Sequence, residues 1–285
     1  MDIDSTETHL DLQRLLAIKE EVVRLAREVG RWARERSDRH HAGTQAFDVS
    51  VKTVPGDVVT EVDVEGQRRI AERLRAGFPG FGLLGEEGLS EVDERTPTWV
   101  IDPIDGTHNF VRGYPGFCVS IGLVEENESV LGVIYDAGLD TVYWAVKGGG
   151  AWREAERVRL TDRAVRDALI TTNFTDASAG NLGHRDFFVE LAGRSSGVRA
   201  SGSACRDLCF VADGRVDLFW QFGLRAWDVA AGIALVREAG GEVRFLGGGD
   251  RTWLQGGRID VVAGAPSAVA EAMALAERVL DRGRR

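Results

Sequence analysis

From Phe117 to Val146 the chain reads FCVSIGLV, SVLGVIYD and TVYWAV, three alternating runs broken only by EEN and AGLD. Breaks this short favour tight turns, so the three runs are expected to fold back on one another as an antiparallel meander. The glycine triplet Gly148 to Gly150 closes it.

On the N-terminal side, Leu12, Leu15, Leu16, Val22, Leu25, Val29 and Trp32 recur at helical spacing, which predicts a long amphipathic helix over Leu10 to Arg36. A strand near Phe47 to Lys52 and a helix from Asp63 to Phe78 follow, the latter ended by Pro79-Gly80. Two short strands, Gly82 to Gly85 and Thr98 to Asp102, then run into acidic residues.

After the triplet, strands are expected at Ala168 to Thr172, Val198 to Ala200, Val216 to Phe222, Glu242 to Phe245 and Ile259 to Ala263. Helices are expected at His184 to Ala192, Ser203 to Ala212, Ala226 to Ala239 and Pro266 to about Asp281. A meander in one half and alternating elements in the other predict an α+β fold of layered sheets and helices. The expected halves are 1–150 and 151–285, packed as one compact unit.

With 285 residues, 44% hydrophobic and 28% charged, the chain can bury a substantial core. Its net charge of −10 counts against nucleic acid and anionic membrane as partners. No run is long enough to span a bilayer, and the acidic start MDIDSTETHL is unlike a signal peptide, so the expected location is the cytoplasm. Cys118, Cys205 and Cys209 form no CxxC pair and read as small core residues.

The acidic residues carry the chemistry. Glu86-Glu87, Asp102, Asp105, Asp228 and the Asp57/Asp63 segment all fall at strand ends or helix starts. Clustered carboxylates repel unless a cation sits among them, and an oxygen-only ligand set favours magnesium or manganese over zinc. In Asp102-Pro103-Ile104-Asp105 the proline fixes φ, so a short rigid turn can aim both carboxylates inward and leave a backbone carbonyl as a further ligand. Gly106-Thr107 then opens a helical turn whose unpaired N–H groups suit an anion. Metal on one side and amides on the other describe a phosphate site, although Thr107 alone would read as a helix cap and Glu-Glu as a solvated face.

Three stretches, GEE at Gly85 to Glu87, WVIDPIDGTHNF at Trp99 to Phe110 and WDVAAGIALVREAGG at Trp227 to Gly241, resemble the inositol monophosphatase family over nearly the whole chain. The resemblance implies an α/β/α/β/α sandwich of the sugar-phosphatase type, magnesium-dependent hydrolysis of a phosphate monoester, lithium sensitivity and a homodimer. Glu86, Asp102 and the Ile104 carbonyl would hold one metal, and Asp102, Asp105 and Asp228 a second. Glu86 would also reach a third through water, giving two to three ions per site. Glu86 and Thr107 would orient the attacking water, with Asp63 hydrogen-bonding Thr107 and Lys52 near the metals. Asp105, Gly106, Thr107 and Asp228 would also border the substrate.

Gly202-Ser203-Ala204 stands where the family has a glycine-threonine-alanine turn that contacts the leaving group. Gln221 departs from the family's glutamate, keeping its length but losing the charge and gaining donors. Inositol 1-phosphate is the first expected substrate; fructose-1,6-bisphosphatase, histidinol-phosphate phosphatase and 3′-nucleotide phosphatase activities stand as alternatives. A catalytically silent binding protein would have lost one of Glu86, Asp102, Asp105, Thr107 or Asp228, and all five are present. His108 reads as a surface residue near the mouth, and Trp227 as an apolar anchor for its helix.

Overall fold

The three alternating runs form β6 (Cys118–Glu125), β7 (Glu128–Asp136) and β8 (Thr141–Val146), paired antiparallel as the turns demand. They are seen in a computed structural model that describes residues 10–52, 58–93, 95–173, 182–246, 254 and 257–280. Asp57 and Asp281 lie outside the described residues.

The meander is the middle of an eight-stranded sheet. Before it come β3 (Gly82–Gly85), β4 (Leu89–Glu91) and β5 (Thr98–Asp105); after it come β9 (Gly150–Arg153) and β10 (Glu156–Val158). The order is β10-β9-β8-β7-β6-β5-β3-β4, with only β3 and β5 parallel. This sheet therefore runs past Gly150, and the next begins at Leu169.

Every residue of β5 and β6 is buried, which requires cover on both faces. On one face Trp99, Ile101, Ile121 and Leu123 meet α1 (Leu12–His41) and α2 (Glu61–Gly77). Their apolar stripes, Leu15, Ile18, Val22, Leu25 and Val29 on α1 and Val62, Ile70 and Leu74 on α2, point inward. A two-stranded ribbon, β1 (Val49–Val51) and β2 (Val58–Thr60), joins the helices.

On the other face Val100, Cys118 and Ile134 pack against α5 (Ala204–Ala212) and α6 (Ala226–Glu238). These two helices also cover a second sheet of β11 (Leu169–Thr171), β12 (Gly197–Arg199), β13 (Leu218–Leu224), β14 (Glu242–Leu246) and β15 (Ile259–Gly264). Its order is β12-β11-β13-β15-β14, with β11 parallel to both neighbours and the rest antiparallel. Along β13, Phe219 faces α5 and α6, whereas Leu218, Trp220 and Phe222 face α4 (Leu182–Arg194) and α7 (Pro266–Leu280). The result is five layers, α/β/α/β/α.

Two glycines determine how closely α6 lies on the first sheet. Gly122 and Gly132 are paired across β6 and β7; a Cβ on Gly122 would come within 2.9 Å of Ala230 Cβ, and one on Gly132 within 2.2 Å of the Ala231 carbonyl oxygen. Small residues on both sides thus let the helix backbone touch the strands, and Ser129 Oγ donates to the Ala230 carbonyl. That contact brings the start of α6 beside the end of β5.

Candidate active site

The strand expected to end at Asp102 continues to Asp105 with a bulge between them: Asp102 pairs with Ser120 and Asp105 with Cys118, so three steps on β5 oppose two on β6. Pro103 supplies no N–H to the ladder, which makes this the natural place to insert an extra residue. Asp102 Oδ1 accepts from the Ile104 amide at 3.0 Å, closing the bulge and fixing the carboxylate. Asp102 and Asp105 are both buried.

Asp228, in the first turn of α6, accepts from the Arg225 amide at 2.7 Å and joins them. Oxygens of Asp102, Asp105 and Asp228 lie within 4.8 Å of one another, the one such acidic group among the described residues. Glu86, just after β3, stands beside it. Its Oε1 is 2.7 Å from Lys52 Nζ, and Lys52 also reaches Glu87 Oε1 at 2.7 Å. The Glu86-Glu87 turn is held by Gln67, whose amide donates to the Glu87 carbonyl (3.1 Å) and accepts from the Glu87 N–H (2.9 Å). Gly85 leaves room for this, since a Cβ there would meet Gln67 Oε1 at 2.3 Å.

Thr107 Oγ1 lies 3.0 Å from both Asp63 Oδ1 and the Ile104 carbonyl. Asp63 is the third residue of α2 and part of its capping box: Thr60 caps the helix, while Asp63 Oδ2 accepts from the Thr60 amide at 2.9 Å and from the Thr60 hydroxyl. Capping and contact with Thr107 are therefore divided between its two oxygens. Gly106, with φ of +98°, starts α3 (Thr107–Arg112) in the left-handed region between the Gly116 and Gly202 carbonyls.

The turn at Gly202 docks against this strand end. Ser203 Oγ and the Cys205 amide both donate to Asp105 Oδ2 at 2.6 Å. The Ser203 side chain thus secures a carboxylate, while Gly202, at φ +79°, is held from two sides. Asn109 Nδ2 donates to the Gly116 carbonyl (2.7 Å) and to the Ser201 carbonyl (2.9 Å). Asn173 Oδ1 accepts from the Gly202 amide at 2.8 Å, and Asn173 Nδ2 lies 3.2 Å from Gln221 Oε1 and from Asp207 Oδ2. Ala204 begins α5, His108 is exposed, and Trp227 packs partly buried against the central layer.

Sequence pattern did not single out Gln67, Asn109 or Asn173. Gln67 left a signal, a polar residue on the buried face of α2 between Gly66 and Ile70. The two asparagines left none, because each bonds to residues distant in the chain.

The electrostatics call for a cation. Burial, and then the neighbouring carboxylates, hold Asp102 well above the usual aspartate range, and burial does the same to Asp228 with Asp105 and Glu86 adding to it. Burial also raises Asp105 and Glu86 against opposing hydrogen bonds and, for Glu86, against Lys52. Burial acts to lower Lys52, but Glu86 and Glu87 outweigh it and keep the ammonium protonated. Lys52 beside Glu86 and Arg225 near Asp228 face four carboxylates, which leaves excess negative charge, and Glu86 and Asp102 stand close enough to share a proton. A divalent cation fits where that proton would otherwise be needed. Asp63 is raised to about 6, chiefly by burial. The three cysteines are free and buried, with thiols pushed well up by burial. Among the described residues no helix is long and apolar enough to cross a membrane.

A sequence profile described as "Inositol monophosphatase family" matches residues 11–280. An inositol-1-monophosphatase of Mesorhizobium japonicum is 42% identical over 216 residues, covering 74% of this chain and 80% of that protein. A fructose-1,6-bisphosphatase/inositol-1-monophosphatase of Thermotoga maritima is 37% identical over 203 residues, covering 70% and 76%. The crystal structure of the extragenic suppressor protein suhB of Bartonella henselae superposes with a TM-score of 0.81 at 32% identity, covering 92% of this chain and 99% of that one.

Proposed function

Because the chain belongs to the inositol monophosphatase family and is a phosphatase, we propose that it is a magnesium-dependent phosphomonoesterase of small polyol or sugar phosphates, with inositol 1-phosphate its first substrate. The observation that carries this reading is the convergence of Asp102, Asp105 and Asp228 beside Glu86 and the Thr107–Asp63 pair. Asp102, Asp105, Asp228, Glu86 and the Ile104 carbonyl would hold the ions, two to three in number, with manganese as a substitute. When bound, the metal offsets the charge of phosphate and carboxylates and makes nearby water more acidic.

The chain's own residues position the reactants. The Thr107 hydroxyl has a single hydrogen, which goes to Asp63 or to the Ile104 carbonyl, so its lone pairs are left to accept from a water and hold it. Glu86 lies on the carboxylate side of the same space and orients that water. Attack on phosphorus forms one P–O bond and breaks the ester P–O bond, with a proton passing to the departing alkoxide. Gly106 and Thr107 offer amides to the phosphoryl oxygens, and Gly202, Ser203, Ala204 and Gln221 border the leaving group. A homodimer and a cytoplasmic location complete the proposal.

The test is phosphate release, with magnesium, from inositol 1-phosphate, fructose 1,6-bisphosphate, histidinol phosphate and adenosine 3′,5′-bisphosphate. Turnover of inositol 1-phosphate is expected; release from none of the four would overturn the reading.

A further inference from the structure

Hydrogen bonds and one peptide bond connect the carboxylate cluster to Gln221: Ser203 Oγ donates to Asp105 Oδ2, Ser203 is bonded to Gly202, the Gly202 amide donates to Asn173, and Asn173 donates to Gln221. Each polar atom of Asn173 has a defined partner, and one of those partners cannot change role. The Gly202 amide is always a donor, so the atom facing it at 2.8 Å must be Oδ1. The Asn173 NH₂ group is thereby directed at Asp207 Oδ2 and Gln221 Oε1, whatever the protonation of Asp207.

The consequence falls on Gln221. Its oxygen is taken by Asn173, so the end left over is its own NH₂ group, which pairs with no described residue. Gln221 lies two positions from Phe219 on the strand face turned toward α5 and α6, the helix layer that carries Asp228, and it is almost fully buried. An amide directed in this way presents donors only.

We infer that Asn173 is a positioning residue that turns the donor end of Gln221 toward the leaving group, and that the site therefore admits leaving groups carrying an anionic oxygen, such as a second phosphate, alongside the neutral polyol of inositol 1-phosphate, where a glutamate would repel them. This rests on the phosphatase reading and refines its substrate class. A hydroxyl can accept from the same NH₂, but a phosphate oxygen does so with charge assistance, which makes the bond about twice as strong.

The test compares kcat/KM for fructose 1,6-bisphosphate and for inositol 1-phosphate, in magnesium, for the wild type and for Gln221→Glu, Asn173→Ala and Asn173→Asp. Gln221→Glu should lower the bisphosphate-to-monophosphate ratio by about ten-fold or more. Asn173→Asp still accepts from Gly202 but cannot donate to Gln221, so it reverses the Gln221 amide and should shift the ratio the same way. Asn173→Ala should lower the same ratio through KM while leaving kcat largely intact, a split that a general loss of folding would not give. An unchanged ratio in Gln221→Glu with the wild type active overturns the inference alone. A wild type that releases phosphate from neither ester but does so from histidinol phosphate or adenosine 3′,5′-bisphosphate overturns the inference alone, and release from none of the four overturns the phosphatase reading with it.

Discussion

Replacing Asp102 by asparagine should move stability and activity in opposite directions. Asparagine keeps an oxygen for the Ile104 amide and nearly the same volume, so the bulge survives while one negative charge is lost. With an effective dielectric constant of about 20, two unit charges at the 4.8 Å limit of this cluster repel by about 3.5 kcal/mol. Partial protonation already relieves some of that in the metal-free protein, leaving a gain of about 1–3 kcal/mol for the variant. At about 2 °C per kcal/mol for a chain this long, the melting temperature in EDTA should rise by about 2–6 °C. Saturating magnesium should stabilise the wild type by about 3 kcal/mol at a hundred times its Kd, and most of that increment should vanish in the variant. Thermal melts in EDTA and in magnesium, alongside phosphate release, measure both effects. A variant that melts lower than wild type in EDTA, or that keeps the full magnesium increment, would refute the idea that these carboxylates are strained together to receive a cation.

Other expectations follow from the same geometry. Thr107→Val should reduce kcat by about 10²–10⁴-fold with KM little changed, and Thr107→Ser should restore most of it, as steady-state kinetics would show. Gly132→Ala places a Cβ 2.2 Å from the Ala231 carbonyl oxygen, so it should cost about 1–3 kcal/mol by denaturant melt and weaken magnesium binding by displacing the start of α6. Asp207 is raised from 3.8 to about 7 chiefly by burial, so the folded state holds its proton where the unfolded state has lost it. In saturating magnesium, stability should therefore fall as pH rises from about 4 to 7 and level off above that. The loss should reach a few kcal/mol, because each tenfold difference in proton affinity between the folded and unfolded states is worth about 1.4 kcal/mol. Asp207→Asn should reduce that slope in melts taken across the range, most clearly between about 6 and 7 where Asp63, raised only to about 6, no longer adds to it, and an unaltered slope would reject Asp207 as a source.

The layers were legible in the sequence because each long element carries its own periodicity. The alternation of Phe117 to Val146 and the helical spacing from Leu12 to Val29 both fall on the observed elements. The acidic residues were legible because carboxylates directly after apolar runs have little structural reason to be there. What escaped depends on contacts that local pattern does not encode. β4 and β10 are three-residue strands, half-exposed or more along most of their length, that exist through pairing with β3 and β9. The continuation of β5 beyond Asp102 needed β6 as a partner to appear as a bulge rather than a turn. Asn109 and Asn173 act across 92 and 29 residues of chain, so nothing near them in sequence marks their role.

If the four carboxylates gathered around the end of β5 hold magnesium for the hydrolysis of a phosphate monoester, the metal and the turnover must rise and fall together. The decisive experiment is phosphate release from inositol 1-phosphate, followed on EDTA-stripped protein as magnesium is titrated back. No turnover is expected without the metal, with saturable recovery as it is added, lost when Asp102 or Asp228 is changed to asparagine. Turnover that persists in EDTA, or that survives both substitutions, would contradict a metal-dependent phosphatase at this site.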